Sequence, residues 1–346
     1  MSNFKEMLNA SLKSQDTEEW LDVHFTRPIG LMFALMWKKL GVHPNTITIL
    51  SIFLGVGAGW MFSYTDIMHN IAGIVLLMFA NFCDSTDGQL ARLTGQKTLL
   101  GRVLDGFSGD VWFFAIYAAL SYRMMGQTIP GLDIQWGLWI WVIAFIAGVM
   151  CHSPQSSLSD YYRQIHLFFL KGKEGSELDT YESQIKIYKS LPRRGALFEH
   201  LFYYNYANYC KSQEKRSPAF QKMIKVMKEK YGSASQVPAD IREEFLEGSR
   251  PLMKYTNILT FNTRAICIYV TCLLSCPWVY MLIEITLMNI LYIYMHKKHE
   301  SLCKKITKRF NDKRIYLRLR RHARHSRPPL GQGAMACLQP PQHTCN

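Results

Sequence analysis

The sequence predicts an all-α, polytopic membrane protein of about six transmembrane helices with a cytosolic, polar helical insertion. Three observations carry that expectation. Apolar runs cluster in residues 46–153 and 257–295, while polar residues collect elsewhere. Several runs approach the roughly 20 residues that a helix needs to cross a bilayer. Basic residues are segregated, since the links 65–70 and 123–134 contain only Arg123. By the positive-inside tendency those links lie outside, and both termini lie in the cytosol. Of the 346 residues, 49% are hydrophobic and 19% charged, too apolar for a disordered chain. Nine cysteines without a CxxC pair give neither a zinc site nor a disulfide framework. Residues 1–28 are mixed and charged with no apolar core, so no cleavable signal is expected.

Along the chain, residues 1–45 read as a juxtamembrane segment and 46–170 as a membrane domain of four helices. These run over about 46–64, from 67, to about 122, and over 135–150. Residues 171–255 are rich in Tyr and Lys and predict short amphipathic helices on the cytosolic face. One of them, AFQKMIKVMKEKYG, should stop at Gly232. The insertion reads first as a solvated helical hairpin packed on the membrane domain. Its alternative is a surface that holds anionic lipid or shapes acceptor access. Residues 256–296 supply the fifth and sixth helices, near 257–276 and 278–295, with Pro277 at the turn. The tail 297–346 begins with thirteen Lys or Arg between Lys297 and Arg327, which supply most of the net charge of +14. It reads as a positive-inside anchor rather than a nucleic-acid arm, and the last twenty residues read as disordered.

The informative stretch is FCDSTDGQLARLTGQKTLLGRVLDGFSGDVWFF. Helix two has about a dozen apolar residues before Asp84 and Asp87, and helix three carries Asp105 and Asp110 before its apolar run. A dozen residues span about 18 Å of a core roughly 30 Å thick. The carboxylates therefore sit near or below the membrane surface, where unpaired charge is costly, and should face one another across a polar cavity. Asp84, Asp87, Gly88 and Ala91 share one helical stripe, two acids followed by two residues that leave room for a ligand. Gly101 and Asp105 share another, and Arg92 stands where it can meet an anion. Ligation by carboxylates alone suits Mg²⁺ or Mn²⁺ rather than zinc. The bland alternative is a helix-end cluster of solvated acids with Arg92 as an ion-pair partner.

The pattern Asp84-x2-Asp87-Gly88-x2-Ala91-Arg92-x8-Gly101-x3-Asp105 resembles the hallmark of the CDP-alcohol phosphotransferase (CDP-alcohol phosphatidyltransferase) family. The preceding His43-Pro44-Asn45-Thr46-Ile47-Thr48 is similar to that family's Pro-Asn-x-x-Thr segment. The resemblance implies a six-helix membrane fold with two divalent cations. It also implies transfer of a phospho-alcohol unit, for example a phosphatidyl group, from a CDP-linked donor to an acceptor hydroxyl, with release of CMP. Such an enzyme of phospholipid synthesis would have membrane lipid among its partners. By resemblance, Asp84, Asp87 and Asp105 are metal ligands. Pro44, Asn45, Thr48, Gly88, Ala91, Arg92, Thr98 and Gly101 line the donor.

One departure matters. The family pattern places a fourth Asp four residues after Asp105, where Gly109 stands and Asp110 follows. In a regular helix residue 110 lies about 140° round from residue 105. A one-residue π-bulge at Gly106 or Gly109 would return Asp110 to the Asp105 face, as a fourth ligand and as the catalytic base. Without it, the chain reads as a catalytically impaired relative, a nucleotide-binding membrane scaffold. A transporter is disfavoured because the acids sit at one membrane face. Arg163 and Arg264 are candidates for an anionic acceptor such as a phosphorylated polyol. Glu284 is an intramembrane acid with a site, a structural pair or a homodimer contact as its readings. The segment TRPIG (26–30) is similar to family members acting on inositol phosphate. The active site is expected on the cytosolic face of a bacterial or an internal membrane, with no nucleic-acid partner.

Overall fold

Caps and punctuation in the sequence set the helix bounds. A computed structural model of the protein describes residues 16–172, 175–192, 197–232 and 236–311, together with Ser14 and four residues before it. The later part of the basic tail, its final segment expected to be disordered, and short stretches of the insertion lie outside the described residues. A π-turn at Asp22–Thr26 leads into α1 (Arg27–Lys39). Helix α2 (Pro44–Phe62) starts with Pro at its first position, and the His43 side chain accepts the Asn45 N–H. Asp66 caps α3 (Ile67–Thr94), which ends on Gly95 at φ 72°, the left-handed stop that glycine tolerates. Thr98 caps α4 (Leu99–Met125).

Helix α5 (Trp139–Phe145) continues through a π-helical turn, Ile146–His152, into α6 (Ser153–Lys171). The insertion forms α7 (Tyr181–Ser190), α8 (Leu197–Arg216), α9 (Pro218–Tyr231) and α10 (Ala239–Ser249). Helix α9 stops at Gly232 as the sequence implied. Then come α11 (Met253–Ile258), α12 (Phe261–Leu273) and α13 (Trp278–Ile283). A second π-turn, Glu284–Met288, joins α13 to α14 (Asn289–Asn311). The described residues contain no strand.

Four helices among the described residues are long and apolar enough to cross a membrane: Pro44–Phe62, Ile67–Thr94, Leu99–Met125 and Trp278–Phe310. The expected fifth helix over 257–276 breaks at Leu259 and Thr260, and α12 retains 13 residues. The Leu259 carbonyl released by that break accepts instead from Arg264 Nη1. The sixth runs well past residue 295 into the basic segment. In the expected fourth region, α5 and the π-turn carry the apolar residues and α6 is mostly polar.

Two apolar cores follow. One lies among the membrane helices, around Phe62, Leu77, Trp112, Ile116, Ile268 and Tyr280. The other joins α6 and the end of α14 to α9 and α10, around Ile165, Met223, Phe245 and Ile306. Outward-facing Phe53, Trp60, Phe114 and Trp139 form a surface that water would not support at this extent.

Glycine spacing sets how closely α2 approaches α4. A Cβ on Gly59 would stand 3.0 Å from the Ala115 carbonyl carbon, and one on Gly55 only 2.1 Å from the Trp112 ring. This is the small-xxx-small packing of membrane helices. Gly57, by contrast, would meet only Leu76 Cδ1 at 3.6 Å. Thermal unfolding in detergent should therefore separate them. Gly59→Ala is expected to cost about 1–3 kcal/mol by overpacking. Gly57→Ala is expected to be neutral or to stabilise by up to about 1 kcal/mol through helix propensity.

Candidate functional site

The end of α3 and the start of α4 are joined by a link of four residues, so their acids stand at the same end of the bundle. Asp84, Asp87 and Asp105 each offer a carboxylate oxygen, and these oxygens lie within 4.8 Å of one another. Asp87 is buried, and its Oδ2 accepts from Thr48 Oγ1 on α2. Asp84 Oδ1 accepts from Ser108 Oγ at 3.2 Å. The α2 segment thus fixes one acid and α4 fixes another.

The remaining motif residues converge on this end. Gly101 is where the start of α2 meets the start of α4: a Cβ there would lie 3.0 Å from both Asn45 Oδ1 and Thr98 Oγ1. The Thr98 hydroxyl oxygen accepts the Gly101 N–H at 2.9 Å, so Thr98 serves first as a helix cap. Pro44 opens α2 beside Asn45. On α3, a Cβ at Gly88 would touch only Arg92, whose Nη1 would lie 3.5 Å away. Ala91 is half-buried on the same stripe. Arg92 has two donors, Nε and Nη2, that are buried without a hydrogen-bond partner. Buried guanidinium donors are normally satisfied. A carboxylate triad beside an unsatisfied guanidinium and a side-chain-free stripe fits divalent cations and the phosphates they accompany.

Asp110 does not join the group. Helix α4 is regular from Leu99 to Met125, so the expected π-bulge is not formed there. Nothing lies within 4 Å of a Cβ built at Gly106 or Gly109, so no close contact forces an inserted residue. Asp110 instead shares its stripe with exposed Phe107 and Phe114.

Arg264 also stands elsewhere than expected. It is fully buried and donates to Glu284 at 3.0–3.3 Å, to Gln155 Oε1 and Ser156 Oγ at 2.8 Å each, and to the Leu259 carbonyl. It is the partner of Glu284 in a structural pair, with no donor directed to open space. Arg163 Nη2 donates to Asn257 Oδ1 at 3.2 Å, and its Nε is buried without a partner.

Three features escaped the sequence. Ser108, one turn beyond Asp105, supports Asp84. Arg102 Nη2 donates to Asp179 and, at 3.1 Å, to Tyr206 OH, while Tyr206 donates to Asp179 at 2.8 Å. Burial holds the Tyr206 phenol above its ordinary range, so it remains a donor. Arg123 is buried at the opposite end of the bundle and donates to Asn70 Oδ1 at 2.8 Å. Only Ser108, at i+3 from an acid, had a spacing that could have flagged it.

The CDP-alcohol phosphatidyltransferase family model matches residues 41–153, which hold the three acids and every expected donor residue. An uncharacterized protein of Aquifex aeolicus (strain VF5) is 42% identical over 67 residues, 19% of this chain and 33% of that protein. The chain therefore matches about a third of that relative's length.

The buried pair gives a direct stability test. Arg264→Met alone should destabilise by about 3–5 kcal/mol, because Glu284 is left as an unpaired buried charge. Arg264→Met combined with Glu284→Met should recover most of that loss in thermal unfolding.

Proposed function

We propose, from the match of residues 41–153 to the CDP-alcohol phosphatidyltransferase family, that the protein is a membrane phosphotransferase of phospholipid synthesis. It moves a phospho-alcohol group from a CDP-linked donor to an acceptor hydroxyl and releases CMP. The observation that carries this reading is the meeting of Asp84, Asp87 and Asp105 next to the unpartnered Arg92 donors.

Asp84, Asp87 and Asp105 would hold Mg²⁺ or Mn²⁺, with two ions as the family resemblance implies. When bound, the cations neutralise and polarise the donor pyrophosphate. Arg92 supplies Nε and Nη2 to phosphate oxygens, and Gly88 and Ala91 leave the space for them. Thr48 and Ser108 orient Asp87 and Asp84 so that their remaining oxygens point to one place. The acceptor proton passes to Asp105, the most exposed carboxylate of the three, and Asp110 has no part in the reaction. Arg163, with its free Nε, is the remaining candidate for an anionic acceptor such as a phosphorylated polyol.

Orientation is supported by loop composition. The connections at the end opposite the acids, residues 63–66, 126–138 and 274–277, contain no Lys or Arg. Arg123 is folded back into the bundle and does not add to their charge. The positive-inside rule then puts the acids on the cytosolic side. Exposed Trp139, Val149 and Met150 on the fourth segment, and Ile266 and Val270 on α12, support two further spans within the membrane. Six spans follow, with the insertion in the cytosol.

The absence of an acid at Gly109 favours one alternative, a nucleotide-binding scaffold that keeps the fold without turnover. Purified protein given labelled CDP-diacylglycerol or CDP-choline, Mg²⁺ and a panel of acceptor alcohols separates the two. The enzyme releases CMP. Asp87→Asn and Asp105→Asn should each lower that release on the order of 10³-fold, whereas Asp110→Asn should stay within about threefold of wild type. Nucleotide binding with no CMP release from any donor would establish the scaffold instead.

A further inference from the structure

The α7–α8 hairpin has more apolar surface than it buries. Among its described residues, none from Ile185 to Pro192 or from Leu197 to Asn205 is buried. Yet this stretch holds Ile185, Ile187, Tyr188, Leu191, Leu201, Phe202, Tyr203 and Tyr204. The two helices meet mainly through rings, with Tyr188 5.3 Å from His200 and 5.8 Å from Tyr204. The ten-residue α7 is marginal in water without an apolar partner. Leu197, Leu201 and Tyr204 follow one another at i, i+4 and i+7 on the outer stripe, exposed by 84%, 63% and 51%. Further along α8 the same stripe turns polar and basic, through Asn208, Lys215 and Lys211, whose Nζ lies 5.1 Å from the Tyr181 ring of α7, and Lys189 is exposed on α7. Exposed apolar residues with lysines nearby suit a lipid surface carrying anionic headgroups.

The hairpin is also held at the correct level. Tyr206 on α8 and Asp179 just before α7 are tied to Arg102 in the first turns of α4. Leu197 lies nine residues from Tyr206, about 14 Å along the helix. Arg102 marks the end of α4 from which the outward-facing apolar surface begins, at Leu100, Phe107 and Phe114. The tie thus holds the hairpin to the end of α4 at which the outward-facing apolar surface begins.

We infer that the α7–α8 hairpin docks on the membrane, with Ile187, Leu197, Leu201 and Tyr204 inserted among lipid chains and Lys189, Lys211 and Lys215 against anionic headgroups. The partner is the bilayer on the side of the carboxylate triad. Through Arg102 the docked hairpin fixes the start of α4, which carries Asp105.

The test uses the full chain in nanodiscs of phosphatidylcholine with phosphatidylglycerol, doped with a lipid bearing a diazirine on its acyl chain. After illumination, mass spectrometry maps the adducts. Lipid adducts on the peptide covering 197–204 are expected at a yield within about threefold of that on the peptide covering Phe114. The α9 peptide covering Lys222–Lys228 should be at least tenfold lower. Leu197→Asp with Leu201→Asp should reduce adducts on the neighbouring 205–211 peptide at least threefold while the Phe114 yield is unchanged. Labelling of 197–204 no higher than that of α9, with Phe114 well labelled, would overturn the inference. So would cross-links from this peptide to a second copy of the chain in place of lipid. Neither outcome depends on CMP release, so the inference and the proposed activity fail separately.

Discussion

Three carboxylates from two neighbouring helices share a volume in which they cannot all remain unpaired charges, and the rest of the molecule is arranged around that constraint. The acids meet because α2 lies close to both α3 and α4. Gly55 and Gly59 remove the side chains that would hold α4 away, and Thr48 on the same helix reaches Asp87. Like charges at such range repel by several kcal/mol in a low-dielectric setting unless a cation or protons intervene. A bundle that brings three acids together at this range suits a divalent cation among them. Arg92 fits this reading, since its unsatisfied donors await an anion and are not folded onto the acids.

The buried Arg264–Glu284 pair, by contrast, is resolved within the protein. Glu284 lies at the start of one π-turn, and Gln155 lies just beyond the other, after His152. A π-turn leaves carbonyls without their usual helical partners. Here Gln155 donates to the Glu284 carbonyl at 3.3 Å and to Asn289 Oδ1 at 3.0 Å. Arg264 then closes the network against the Glu284 carboxylate. This polar layer holds α6, α12 and the helix that runs on from Trp278 together.

The triad was legible because carboxylates interrupting apolar runs have few inexpensive explanations, and Asp84, Asp87 and Asp105 did converge. The stop at Gly232 was legible for a local reason, as caps act within one turn. The expected bulge at Asp110 failed because glycine permits a bulge without requiring one. The two wide turns arise instead at Ile146–His152 and Glu284–Met288, and at the second Gln155 donates to the Glu284 carbonyl. Arg264 was misread because its partners come from residues 155, 156, 259 and 284, and no local pattern shows which side of a helix faces them. The tie from Arg102 to Asp179 and Tyr206 spans up to 104 residues and left no trace in local spacing.

The most direct measurement is a Mn²⁺ titration of the purified protein followed by electron paramagnetic resonance. The account predicts saturable binding that Asp87→Asn or Asp105→Asn weakens at least about tenfold, while Asp110→Asn leaves it unchanged. Binding that survives loss of Asp87 and Asp105, or that needs Asp110, would contradict it.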